Sequence, residues 1–243
     1  MMEKAIIGKK IGMTQIFDEA GRVVPVTVIE AGPCTVMQKK TTEKDGYNAI
    51  QMGFQNVPER KLTKPELGHQ KKAGVTEFKK VLKEFTLKDC STYEVGAEIK
   101  ADVFKAGDFI DVTGISKGHG FQGVVKRHGA GRTPMTHGGG PVHRHAGSMG
   151  PIDPAHIFKG KIGAGQMGNE QVTVMNLDIV KVDVEHNLIA VRGAIPGPKG
   201  GVVFLKSTAK THVEKKGPAA GISNNPQKAS ARVNPQKASA RNK

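Results

Sequence analysis

Two stretches, Phe109-Ile110-Asp111-Val112 and Gln171-Val172-Thr173-Val174-Met175, decide how this sequence is read. Both are rich in β-branched and aromatic side chains, which suit a pleated, half-buried surface. Each reads as a strand, and between them residues 115–169 read as no sustained regular element. A sheet that has strands on both sides of such an insertion is completed only after it. Outward from this pair the same signal recurs. Before it come Val23-Val24-Pro25-Val26-Thr27-Val28-Ile29, Thr35-Val36-Met37 and Ala49-Ile50-Gln51-Met52-Gly53-Phe54. After it come Ile179-Val180-Lys181-Val182, Leu188-Ile189-Ala190-Val191 and Val202-Val203-Phe204-Leu205. Turn residues separate them, as at Asp18-Glu19-Ala20-Gly21, Asp45-Gly46 and Gly197-Pro198. Short runs at this spacing predict a mostly β protein with an antiparallel barrel, its body built from residues 1–114 and 170–206.

One helix is expected within the body. Thr63-Lys64-Pro65-Glu66 fits a capping box, with Pro65 in the first turn and Gly74 placed to end the helix. Residues 58–90 are therefore expected to form a small α+β excursion from the barrel. Cys34 and Cys90 are too few for a disulfide framework and read as ordinary thiols. No apolar run approaches the roughly 18 residues of a membrane-spanning helix. The opening Met1-Met2-Glu3-Lys4-Ala5-Ile6-Ile7 lacks the layout of a signal or transit segment. The expectation is a cytoplasmic protein.

Charge is distributed very unevenly. The chain of 243 residues carries a formal net charge of +15. Residues 1–110 hold 18 Lys and Arg against 15 Asp and Glu, and residues 170–205 hold 3 against 4. Residues 115–169 hold 7 against 1, and residues 206–243 hold 9 against 1. A block of one sign repels itself and folds poorly alone, so these blocks imply a polyanionic partner. The second block contains a direct repeat: Asn225-Pro226-Gln227-Lys228-Ala229-Ser230-Ala231-Arg232 returns as Asn234-Pro235-Gln236-Lys237-Ala238-Ser239-Ala240-Arg241. Two polar copies are too few for a solenoid. Residues 207–243 are expected to be a disordered basic tail, either merely solvated or contacting the partner.

Residues 115–169 contain 14 of the 31 glycines and six of the nine histidines. Prolines at 134, 141, 151 and 154 interrupt regular structure, and only Phe121-Gln122-Gly123-Val124-Val125 and Ile157-Phe158 look strand-like. A loop far beyond ~12–15 residues is expected only where a function or a partner orders it. If it runs out and back, each arm of about 27 residues reaches at most ~90 Å.

Three catalytic or cofactor readings of this segment fail on spacing. Gly118-His119-Gly120-Phe121-Gln122-Gly123 has the glycine pattern of a dinucleotide site but not its strand, helix or acidic residue about 20 positions on. His143-x-His145, with His137 nearby, lacks the carboxylate or thiolate that a zinc site usually adds, since Asp153 is the sole local acid. A three-His arrangement is the residual alternative. Gly147-Ser148-Met149-Gly150 lacks the spacing of a nucleophile elbow. The expectation is a protein that is not an enzyme and holds no cofactor or metal.

The same residues make sense as an RNA surface. Glycine lets backbone N–H groups approach phosphates where a Cβ would clash. Lys117, Lys126, Arg127, Arg132, Arg144, Lys159 and Lys161 supply phosphate contacts, and the histidines and arginines can stack on unpaired bases. Aromatics are 5% of the chain with no Trp, which disfavours a stacking platform for single strands and favours folded RNA read by shape. A rival DNA-binding reading would need a helix-turn-helix, zinc finger or similar element, and none is present.

Phe104, Asp111, Gly114, Ser116, Gly118, His119, Gly120, Gly123 and Arg127 fall at the spacing of a family signature. It is that of the universal large-subunit ribosomal protein three, the L-three family. The string from Gly107 to Arg127, then Thr136-His137-Gly138 and Arg144-x-x-Gly147-Ser148, resembles its bacterial branch. So do Lys9-Lys10-Ile11-Gly12-Met13-Thr14, Phe158-Lys159-Gly160 and Gly165-Gln166-Met167-Gly168, and the resemblance covers about residues 1–206. It implies a translation-protein-like β-barrel body on the outer surface of the large (50S) subunit, bound to 23S rRNA. It also implies an extension entering the RNA core toward the peptidyl transferase centre, a role early in assembly, and neighbours of the L-fourteen and L-nineteen families. The rRNA-binding residues expected are Ser116 to Phe121, Gly123, and Lys126 to His128. Arg132, Thr136 to Gly138, His143 to His145, Ser148, Lys159 and Lys161 complete the set. Two departures stand out: Pro151 replaces a Gln that is methylated in some relatives, and the repeated tail has no counterpart.

Overall fold

The computed structural model describes residues 3–210, apart from residues 20, 76 and 91. Strands β1 (Ala5–Phe17) and β2 (Val23–Ala31) form a long hairpin. Next come β3 (Cys34–Lys40), helix α1 (Thr42–Asp45), β4 (Ala49–Asn56), helix α2 (Lys64–Lys72), β5 (Lys79–Phe85) and β6 (Glu98–Ile99). Strand β7 (Phe109–Ile115) leads into the insertion, which contains β8 (Gly120–Gln122), α3 (Val124–His128) and β9 (Gly165–Met167). The chain then returns through β10 (Gln171–Asp183), β11 (Leu188–Arg192) and β12 (Val202–Ser207).

Six strands close an antiparallel barrel in the order β1-β12-β7-β10-β11-β2. The two stretches that flank the insertion pair directly, with Val112 opposite Val174 and Gly114 opposite Val172. Ile6, Ile7, Ile29, Ile110, Ile179, Ile189 and Leu205 are fully buried. Each such side chain contributes about 1.5–3 kcal/mol relative to exposure. A Cβ at Gly8 would lie 2.7 Å from Ile29 Cγ2 and 2.9 Å from the Glu30 carbonyl, so β1 and β2 approach closely only because this residue is glycine. Buried Asp111 is satisfied by backbone: its carboxylate accepts the N–H of Asn176 in a bulge of β10 (3.0 Å) and of Ala209 (3.3 Å). The ordered body therefore extends past residue 207, because Ser207 still belongs to β12 and donates its N–H to the Lys4 carbonyl. The repeat at 225–241 lies outside the described residues.

The barrel differs from expectation in its membership. Thr35-Val36-Met37 and Ala49–Phe54 were expected in it, but they belong to a second sheet of order β5-β4-β3-β6. The excursion thus begins at β3 rather than at residue 58. Alternating apolar residues announce a strand; they do not say which sheet it joins. Val36, Ile50, Met52, Phe54 and Phe85 continue the barrel core without a break, so both sheets share one apolar interior.

Helix α2 begins as its sequence predicts. The Glu66 carboxylate accepts hydrogen bonds from Thr63 N–H (2.9 Å) and Thr63 Oγ1 (2.8 Å), and Gly74 takes a left-handed φ of +67° beyond the end. Its buried Gln70 attaches the helix to β5: the amide donates to the Lys79 carbonyl (2.9 Å) and accepts the Lys79 N–H (2.7 Å), as a neighbouring strand would. Cys34 and Cys90 are buried free thiols, and burial pushes Cys34 up to about 12. Among the described residues, no helix is long and apolar enough to cross a membrane.

Candidate nucleic-acid interface

Residues 115–169 leave the barrel at β7 and return at β10, and not one of them is buried. Order comes from backbone hydrogen bonds near the root. Ser116 N–H donates to the Glu170 carbonyl (2.9 Å), and His119 N–H donates to Met167 (2.9 Å). Beyond them β8 pairs with β9, with Phe121 opposite Gln166. Three residues per strand cannot bury a core; the ladder holds because two glycines let the arms touch. A Cβ at Gly168 would sit 2.1 Å from the Lys117 carbonyl, and one at Gly165 would sit 2.9 Å from the Arg127 guanidinium. At these two positions glycine serves contact between the arms rather than an approach to phosphate.

Val124-Val125, which read as the end of a strand-like run from Phe121, instead open α3. The flanking punctuation outweighs the β-branched pair: Gly123 precedes the helix and Gly129 ends it in the left-handed region at φ +67°. The turn brings Arg127 back across the arms, where Nη1 donates to the Gly163 carbonyl (3.0 Å). Four N–H donors of that guanidinium remain for other partners. Ile157-Phe158, also expected as strand, is irregular, and Phe158 instead meets His156 edge-on at 5.0 Å.

Among the expected RNA-contacting residues, Ser116, Arg127 and His143 are half-buried and all the others are exposed. Lys117, Gly118, His119, Gly120 and Phe121 lie together at the root with Gly123 and Lys126, where Phe121 is 76% exposed. His128 ends α3. Farther out, Thr133 N–H donates to the His143 carbonyl (3.3 Å), bringing Arg132 toward the segment bearing Arg144 and His145. Thr136, His137 and Gly138 occupy a turn in which His137 has φ +61°. Lys161 Nζ donates to the Ser148 carbonyl (2.6 Å), joining the returning arm to the tip, and Lys159 lies two residues before. The insertion is thus a folded-back double strand rather than one compact site. Among the described residues, none of its seven cations has a carboxylate partner, and no group of three His, Cys, Asp or Glu side chains converges as a metal site.

One residue at the root went unassigned in the sequence. Lys10 is buried in β1, and its Nζ donates to the carbonyls of Ile195 (2.9 Å) and Gly197 (3.0 Å). Its backbone also pairs with Gly200 and Gly201, so one residue fixes the whole 195–201 turn beside the insertion. Burial, and then the charge of Lys117, push its ammonium below the usual lysine range. The available signal was phase: Lys10 is two and four residues from buried Gly8 and Ile6 on the same strand.

The profile of the family described as Ribosomal protein L3 matches residues 60–184, just over half of the chain. The chain belongs to the ribosomal protein L3 family. The matched stretch contains every expected RNA-contacting residue, together with α2, β7 and the whole insertion. Membership of the L3 family makes the chain a structural constituent of the large ribosomal subunit that binds its rRNA alongside other ribosomal proteins. The family is not a known family of enzymes.

Proposed function

We propose that the barrel docks on 23S rRNA early in assembly of the large subunit, and that the insertion carries the chain's influence inward to the peptidyl transferase region. The observation that supports this most is the contrast in burial: 55 consecutive residues, none buried, carrying seven cations against one acid. Such a segment gains its order from a partner, and exposed unpaired cations suit a phosphate lattice. Phosphate contacts would fall to Lys117, Lys126, Arg132, Arg144, Lys159 and Lys161, and stacking or base-edge contacts to His119, Phe121, His137 and His145. The RNA carries out peptide transfer; the protein stabilises the RNA fold near it in the cytoplasmic ribosome. Neighbours of the L-fourteen and L-nineteen families would contact the body.

The test replaces residues 128–157 by a short flexible linker. The β8–β9 ladder stays, and loop-closure entropy changes slowly with length, so melting of the body should shift little. Initial docking on 23S rRNA should persist, while subunits that contain the shortened protein should lose peptide-transfer activity. Fully active subunits would remove the role at the active centre; failure of the shortened body to fold would move the boundary of the insertion.

A further inference from the structure

Where β7 leaves the barrel and β10 returns, a cleft of about 530 Å3 opens beside the 195–201 turn. Its volume falls within the ~300–1,000 Å3 of sites that enclose small organic ligands. Val81, Ile115, Pro198, Val202 and Phe204 make its walls aliphatic or aromatic. Ser116, Lys117 and Asn169 supply polar groups, and no carboxylate lines it. Asn169 is held at φ +56°, and its side-chain amide makes no hydrogen bond among the described residues. The surroundings are cationic: Lys83 Nζ stands 5.5 Å from the centre of the Phe204 ring, and Lys10 sits behind the turn close enough to sense Lys117.

The ligand that fits has an apolar body, an edge that an amide can read, and negative charge for Lys117. An acidic peptide has the charge without the flat apolar body. A nucleotide has all three, and the cleft is continuous with the basic insertion. We propose that it receives one unpaired nucleotide of the bound rRNA, its base between the apolar walls and its phosphate against Lys117. The proposal rests on the rRNA-binding reading and adds a walled pocket for one base to an interface whose other base-contacting side chains are exposed.

The full chain bound to a 23S rRNA transcript tests it. The RNA is probed with dimethyl sulfate and a carbodiimide, which together modify the pairing edges of all four unpaired bases. Wild-type protein should protect one unpaired base that Val81→Trp, which fills the cleft, leaves reactive while the other protections stay. Affinity should fall about 5- to 150-fold, the equivalent of ~1–3 kcal/mol for a stacked base. Pro198→Trp, an exposed substitution that also fills the cleft, should lose the same protection, and it decides the matter if Val81→Trp fails to fold. Retention of every protection by a folded variant overturns the proposal and leaves rRNA binding intact. A wild-type chain that does not bind 23S rRNA overturns both. In intact large subunits, a benzophenone side chain placed at Pro198 should crosslink to RNA; a crosslink to a protein instead would make the cleft a protein-docking site and sink the idea.

Discussion

The body and the insertion are built from one chain by opposite means. The body folds by burying aliphatic side chains from two sheets in a single interior, and its ion pairs lie mostly at the surface, where they contribute little. The insertion buries nothing and is shaped by glycine turns, a three-residue ladder and side chains that tie one arm to the other. Stability and binding are therefore separable: one region holds the fold, and the other displays charge that the fold does not use.

The sharpest way to break this comparison is to cut into the body. Leu205→Ala removes a fully buried side chain and should destabilise by about 2–5 kcal/mol in denaturant unfolding. A loss below about 1 kcal/mol would mean that the barrel interior is loosely packed. Next in size is the response of rRNA affinity to salt. If about six cations make phosphate contacts, the log–log slope should be near −5, about a thousandfold loss between 50 and 200 mM salt. A slope near −1 would show that the exposed cations do not face phosphate. A third test addresses the excursion. Gln70→Ala leaves the N–H and C=O of Lys79 without their buried partner and should cost about 1–3 kcal/mol, with faster amide exchange concentrated in α2 and β5. Exchange that rises equally through the barrel would refute a local role. The smallest effect belongs to the insertion: Ile152→Asp, at a side chain 93% exposed, should change body stability by less than about 0.5 kcal/mol. A larger loss would reveal that the insertion packs on the body in solution.

Legibility follows the same division. Strands that bury a face write it into the sequence as β-branched runs, so Val23–Ile29, Phe109–Val112, Ile179–Val182 and Leu188–Val191 were readable, as was the capping box at Thr63. Partnership was not. Nothing local in Thr35-Val36-Met37 says that it pairs with β4 and β6 rather than with a barrel strand. In the insertion the usual cue is missing because there is no core to set a period. Strands β8 and β9 exist through close approach at Gly165 and Gly168, and α3 is marked by its bounding glycines rather than by its side chains. The candidate residues could be read as a chemical set, since cations, glycines and histidines concentrate there. Their arrangement could not, and Lys10 shows why: its role depends on a turn 185 residues away.

Closure of the barrel also sets a timetable for synthesis. β1 is hydrogen-bonded to β12, with Ala5 opposite Lys206. The first strand to be made therefore has one edge uncovered until almost all the described chain has left the ribosome that makes it. Non-local pairing of this kind folds slowly and leaves strand edges open to wrong partners in the meantime. The basic insertion is also translated before the barrel that carries it can shut. At roughly 5–20 residues per second, nascent chains thus expose this cation-rich segment for several seconds without a finished body. An RNA partner or a chaperone that engages the insertion during that interval would shield the charge while the last strand is being supplied.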